Sequence, residues 1–310
     1  MSELQNPLAR DLEWVISSPP IIQGQYQQKN WTEANFWQQQ SEQFRLRLQQ
    51  LDNKPDSLNE LLQQQRDYRL GHRFETLLAF WFEHSPRYQI IAQNLQVYEA
   101  NRTIGEFDFI IKDLERNKVQ HWEVACKFYL GLGSTDKREN WLGPMLKDRL
   151  NIKFDNMQQR QSLLSEQPAA QQLLQRRGLH IDESICLMKG RLFYPLTRAL
   201  SPSPEKAGNN HQRGWWARPD EFLAHYDTQP LRWRPLTKNQ WLAPQQHDCS
   251  NISHNAREIL QQFHDKPQQH PLCVVGFTQD ESSSEELARV FLVAKDWAKT
   301  LNIVDNGSPN

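Results

Sequence analysis

Two short runs, Gly105-Glu106-Phe107-Asp108-Phe109-Ile110-Ile111 and His121-Trp122-Glu123-Val124-Ala125-Cys126-Lys127-Phe128-Tyr129, set carboxylates and an amine in apolar surroundings. Both read as β-strands. Alternation along a strand then puts Glu106 and Asp108 on one face of the first run, and His121, Glu123, Ala125 and Lys127 on one face of the second. The opposite faces, with Phe107, Phe109 and Ile111, and with Trp122, Val124, Cys126, Phe128 and Leu130, are expected to be core. Acids on neighbouring, otherwise buried strands are costly to desolvate unless they are paired or bind a cation. A divalent metal is the sharpest explanation. An ion pair Glu123 with Lys127, and one of Asp108 with Lys112, are the plain structural alternative.

The elements that must position these groups follow from periodicity. Over residues 70–82, Phe74, Leu77, Leu78, Trp81 and Phe82 recur at helical spacing, and Glu75 sits near that helix's first turn, where the helix dipole favours a carboxylate in any case. Residues 88–98 read as a strand, followed by a turn through Asn101 and Gly105 into the acidic strand. After the second acidic strand comes a loop over 131–144, then a polar helix over about 146–166 ending near Pro168. Residues 184–195 read as a further strand, bulged or turned at Gly190. The order helix, strand, strand, strand, helix, strand makes a small α/β core.

Those residues resemble the PD-(D/E)XK nuclease superfamily, whose core has that element order. The helix with Glu75, the Gly-Glu-x-Asp of 105–108, and Glu123 with the later Lys127 are similar to its motifs in their expected order. The resemblance implies a restriction-endonuclease-like core over 70–200, a phosphodiester hydrolase acting on DNA or RNA, and Mg²⁺ or Mn²⁺ as cofactor. Asp108, Glu123 and Glu106 would be metal ligands, and Glu75, Asp108, Glu123 and Lys127 the catalytic set. A divalent ion would polarise the phosphoryl oxygen and activate water, and an ammonium beside it would stabilise developing charge. One departure bears on activity. The superfamily sets acid and lysine two residues apart, whereas Ala125 stands there and Lys127 comes two later, separating the backbones by about 13 Å rather than about 6.6 Å. A fold that has lost catalysis and serves as a nucleic-acid or protein binding module is the alternative. Two further stretches, Gly190-Arg-Leu-Phe-Tyr-Pro and His211-Gln-Arg-Gly-Trp-Trp, are similar to a bacterial family catalogued as a domain of unknown function and grouped with these folds.

The rest of the chain bounds this reading. Its 310 residues suffice for a core with flanking parts: an N-terminal helical segment over 1–69, and a Trp-rich α+β subdomain over 211–302 beyond a Ser/Pro/Gly/Asn-rich break at 201–210. Within the latter, a helix is expected near 219–225 and a hairpin from 272–277 and 290–294, although 285–301 would also tolerate a helix. Residues 302–310 read as a frayed tail. Lys plus Arg total 36 against 37 for Asp plus Glu, so any nucleic-acid contact must be a local patch. Lys147, Arg149 and Lys153 on the polar helix are candidates, as are Gln158 and Gln161 for reaching the active face; a merely solvated helix face is the plainer reading of the charges.

The four cysteines, Cys126, Cys186, Cys249 and Cys273, lie far apart, as befits buried thiols in a reducing compartment. No apolar run approaches the roughly 18 residues of a membrane span, and the first residues carry an acid where a secretory signal would be basic. A cytoplasmic protein is expected. Trp215, Trp216, Trp233 and Trp241, interleaved with arginines, could stack on unpaired bases, but core packing explains them more simply. His211 has no partner ligands at zinc spacing, which leaves it a structural hydrogen bond. The chain has no phosphate-cradling glycine loop and no nucleophile elbow, which disfavours ATP hydrolysis and serine-hydrolase chemistry.

Overall fold

The computed structural model describes residues 3–26, 29–64, 69–198, 200–246, 253–265, 270–278 and 285–299. Cys249, the tail at 302–310 and most of the acidic connection before 290 lie outside them. The described chain is a mixed α/β structure in two compact units, residues 1–127 with 152–189, and residues 128–151 with 190–310. The chain passes between them three times, at 127/128, 151/152 and 189/190.

In chain order the elements are α1 (Pro7–Ser17), β1 (Gly24–Tyr26), β2 (Lys29–Trp31), α2 (Ala34–Asn53), α3 (Asp56–Gln63), α4 (Leu70–His84), β3 (Tyr88–Glu99), β4 (Arg102–Asp113), β5 (Lys118–Gly131), β6 (Trp141–Leu142), α5 (Leu150–Gln159), α6 (Pro168–Arg176), β7 (Glu183–Pro195), β8 (Arg213–Ala217), α7 (Pro219–Tyr226), β9 (Leu231–Pro235), α8 (Ala256–His264), β10 (Leu272–Thr278) and β11 (Ala288–Leu292). Among the described residues no helix is long and apolar enough to cross a membrane.

The first unit is built on strands in the order β3-β4-β5-β7, with β2 added parallel to β7. Three successive strands form an antiparallel meander, as short connections dictate. The turn from β4 to β5 is fixed by Asp113, whose buried carboxylate accepts from Arg87 Nη2 at 2.7 Å and from the backbone N–H groups of Glu115 and Arg116. Helix α4 buries Phe74 and every residue from Leu77 to Phe82, so its second half is enclosed on all sides, as a helix apolar all round must be. Phe82 packs edge-on against Trp122 of β5 and near Phe109 of β4. Helix α1, which sequence periodicity did not single out, starts at Pro7 with the Asn6 side chain accepting from Leu8 N and Ala9 N. It is tied to β7 by the fully buried Lys189, whose Nζ donates to Val15 O at 2.5 Å and lies over the Trp37 ring.

Two expectations need correction. The polar helix over 146–166 is shorter: α5 ends at Gln159, a 3-10 turn covers Gln161–Glu166, and Pro168 opens α6 instead of closing a helix. Proline lacks only a first-turn N–H that would be unpaired anyway, so it starts a helix readily. Strict alternation along β4 also fails. Phe107 clusters with Ile110, Leu164 and Leu174, whereas Phe109 packs on Phe82, so Phe107, Phe109 and Ile111 do not form one core face. The β4–β5 ladder runs from Asp113↔Lys118 to Phe109↔Trp122 and stops at the place where the alternation breaks.

In the second unit β8 runs parallel to β7, β11 parallel to β8, and β10 and β9 follow antiparallel. The expected hairpin is therefore present as β10–β11. Gly190 opens this unit's part of β7 at φ 139, a conformation L side chains rarely adopt. Trp216 and Trp233 are buried, the latter in a cluster with Phe222, Tyr226 and Phe263, so these indoles are core residues. His211 Nδ1 lies 2.6 Å from Gly208 O and its Nε2 2.9 Å from the Tyr194 hydroxyl, the structural hydrogen bonding expected of it.

Candidate active site

Where the β4–β5 ladder ends, Asp108 takes over as acceptor: its Oδ2 receives the Val124 N–H at 2.9 Å. A side-chain carboxylate thus stands where the neighbouring strand's carbonyl would have been. Glu123, the residue before, has a side chain only 1 % exposed. Its Oε1 accepts from Gln161 Nε2 at 2.5 Å and lies 3.5 Å from Lys153 Nζ, which itself donates to Gln161 Oε1 at 3.1 Å. Its Oε2 is buried without a hydrogen-bond donor. The group acting most strongly on Glu123 is the other carboxyl, Asp108. Two acceptors facing each other need a proton or a cation between them.

The electrostatics follow. Burial first, then the Asp108 charge, push the Glu123 carboxyl well above its ordinary range, with Lys153 opposing. Asp108 is raised by burial too, against the Val124 N–H and Lys153. Glu75, on α4, is raised by burial and then by Asp108, with Glu106 adding to the repulsion. Its Oε2 lies 3.1 Å from His72 Nδ1, and Arg69 Nη2 lies 2.8 Å from the other ring nitrogen. Arginine can only donate, so that network assigns the hydrogen to Nδ1 and makes His72 the donor to Glu75.

Asp108 therefore links the acids of the first unit, acting on Glu75 and on Glu123, while Glu106 acts on Glu75 and Asp108. The cation in direct contact is Lys153 of α5, which sequence reading placed only on a weak nucleic-acid surface. Lys127 is half-buried, and its charge bears on Cys126, as does that of Glu75, while burial drives that thiol upward. The contacts of the two acids are Lys153 beside Glu123 and the Val124 N–H on Asp108. Lys147 and Arg149 precede α5 and belong to the other unit. Of the two glutamines, Gln161 reaches the acids, while Gln158 accepts from Trp31 Nε1 at 2.8 Å. Among the described residues no group of three or more His, Cys, Asp or Glu side chains is placed to hold a metal ion.

The family model described as Domain of unknown function (DUF1853) matches residues 10–293. The chain belongs to the DUF1853 family. No curated protein and no solved structure gives a significant match. The match runs through both units of this DUF1853 chain, and takes in Glu75, Asp108, Glu123, Lys153 and Gln161. What sequence reasoning missed here is Lys153 as partner of Glu123, and His72 as donor to Glu75. The His72 signal was in the sequence, since residues three apart on a helix are neighbours. The Lys153 signal was not, because nothing local couples a helix to a strand that precedes it by a long loop.

Proposed function

We propose that this chain is a metal-dependent hydrolase of phosphodiester bonds in DNA or RNA, built on a PD-(D/E)XK-like core. The order α4, β3, β4, β5, α5, β7, interrupted by the short β6 and α6 on either side of α5, supports that fold, as does the action of Asp108 on both Glu75 and Glu123. One observation carries the reading: Glu123 Oε2, buried and without a donor, beside a second carboxyl. That arrangement suits a hard cation. Mg²⁺ commonly keeps several waters and uses only one or two protein carboxylates plus substrate phosphate, so Asp108 and Glu123 suffice as a ligand set. When bound, the ion supplies Lewis acidity to the phosphoryl group and a more acidic water.

The chain's own residues have separable tasks. Asp108 and Glu123 would hold the ion, with Glu75 and Glu106 toward its water shell. Lys153, braced by Gln161, keeps a positive charge next to Glu123 and is placed to stabilise charge on a phosphate. His72 holds Glu75 in orientation. Titration with Mg²⁺ or Mn²⁺ by calorimetry on wild type, Asp108→Ala and Glu123→Gln tests the ligand set, and nicking of plasmid and single-stranded substrates tests the chemistry. Metal binding that survives both substitutions would sink the proposal.

A second reading has its own support. Glu123 Oε1 is already engaged by Gln161 and Lys153, and the described residues offer no three-ligand cage. A protein with that site closed would keep the fold and bind without cutting. Absence of metal binding in the wild type would favour it.

A further inference from the structure

Trp122 follows His121 and precedes Glu123 on β5, and it turns to the strand's other side, where the first unit holds a cleft of about 390 Å³. Its lining is mostly polar and includes the aromatic residues Trp31, Phe36, Tyr88 and Trp122. Trp31, Tyr88 and Trp122 are almost wholly buried and back the cleft, so the ring surface open to a ligand is that of Phe36, half-buried and 6.2 Å from Trp122 between centroids. The floor polar groups are already satisfied. Gln120, 2 % exposed, accepts from Trp122 Nε1 and donates to Glu183, both at 2.8 Å.

Charge at the cleft is balanced. Arg87 is held by Asp113, and Arg116 is held by Glu183 through bonds of 2.6 and 3.3 Å. A free anion would have to compete with carboxylates for both guanidinium groups. The mouth carries the exposed amides Asn30, Asn35 and Gln39, each offering a donor and an acceptor side by side. One accessible aromatic ring, two arginines balanced by Glu33 and Glu183 in the lining, and an amide rim suit a planar, uncharged heterocycle whose edge both donates and accepts; stacking on an aromatic ring and edge reading by Asn or Gln amides is how unpaired bases are bound. The volume falls within the usual span of small-molecule sites.

We propose that this cleft binds a nucleobase, brought either as a free nucleoside or as an unpaired base of a strand. It is a site separate from the carboxylates, and it stands without them. Calorimetric titration of the full chain with adenosine, guanosine, cytidine and uridine, and with an unstructured ten-nucleotide single strand, tests it. Saturable binding of a nucleoside assigns the free ligand as a source; binding of the strand alone assigns the strand. In either case Phe36→Ala should weaken binding about tenfold or more, the worth of one stacking contact. Asn35→Ala, at an exposed position that leaves packing intact, should weaken it measurably and shift the preference among the four bases. No binding of any nucleoside or strand at millimolar concentration overturns the proposal, and so does binding indifferent to both substitutions. Mg²⁺ titration of Asn35→Ala should match the wild type, so that failure here and failure of the nuclease reading are distinguishable.

Discussion

Lys153 Nζ approaches Glu123 Oε1 to 3.5 Å from a helix, and not from the strand that carries the acid. The positive charge beside Glu123 is therefore supplied by α5. Gln161 fixes both partners, bonding the amine through its oxygen and the carboxylate through its nitrogen.

From that contact follows the first prediction. Lys153→Met leaves Glu123 and Asp108 facing each other without their opposing cation. The phosphodiester cleavage proposed above is expected to fall by about 100-fold or more, the usual cost of removing one preorganised charge from a site where charge develops. Plasmid nicking rates for Lys153→Met and Lys127→Met decide which amine serves the site. A larger loss at Lys127 would refute the assignment.

A second prediction concerns pH in the metal-free protein. Glu75, Asp108 and Glu123 all bind protons more tightly folded than unfolded. Their contribution to stability is thus fully present below the ordinary values of 3.8 and 4.5, and is lost as pH rises from there through the elevated folded values. Urea midpoints of the wild type should fall over that rise, and Asp108→Asn should flatten the fall by removing one member of the repelling set. Mg²⁺ should restore the lost stability at neutral pH. A midpoint that climbs equally with pH in both proteins would contradict the electrostatic account.

Gly105 offers a third test, since it stands directly before Glu106. A Cβ there would lie 2.6 Å from Leu164 Cδ1 and 3.0 Å from Cδ2, so the leucine must move or β4 must shift. Gly105→Ala is expected to cost about 1–3 kcal/mol as an overpacked site. Because the strain falls on one side chain, Gly105→Ala combined with Leu164→Ala should cost less than the sum of the two single changes. Additive losses in chemical denaturation would show that the backbone, and not Leu164, carries the conflict.

Much of this arrangement was legible in local pattern. Helix α4 with its apolar residues from Phe74 to Phe82, the three-strand meander and the β10–β11 hairpin follow from periods of 3.6 and 2 that a single chain displays. What escaped was non-local. Phe107 sides with Ile110 because β4 stops pairing with β5 at Phe109, and that break depends on Asp108 capturing the Val124 N–H. Pro168 was misread as a terminator, though the same residue type suits a first helical position. The two compact units exchange chain inside β5 and β7, so no composition shift marks their boundary.

The second unit provides a fourth prediction, independent of function. Glu286 is 5 % exposed at its side chain and accepts from Arg289 at 2.6 Å and from the Gln245 N–H at 2.8 Å, with Arg191 Nη1 at 3.9 Å. Arg289 also donates to the carbonyls of Trp241 and Ala243. Burial and the neighbouring Arg289 lower Arg191 to about 10, which leaves it charged at neutral pH. The two arginines in turn hold Glu286 below its ordinary value despite burial. Stability from this acid is present above 4.5 and is lost as pH falls through the depressed folded value, opposite in sense to the first-unit carboxyls. Glu286→Ala would strand two buried guanidinium groups and is expected to cost about 3–5 kcal/mol. Glu286→Gln, which keeps an acceptor and loses the charge, should cost less and should abolish the acid-side part of the pH dependence. Urea denaturation of the three proteins at neutral and acid pH measures both effects, and a loss below about 1 kcal/mol for the alanine variant would place the pair among exposed bridges of little consequence.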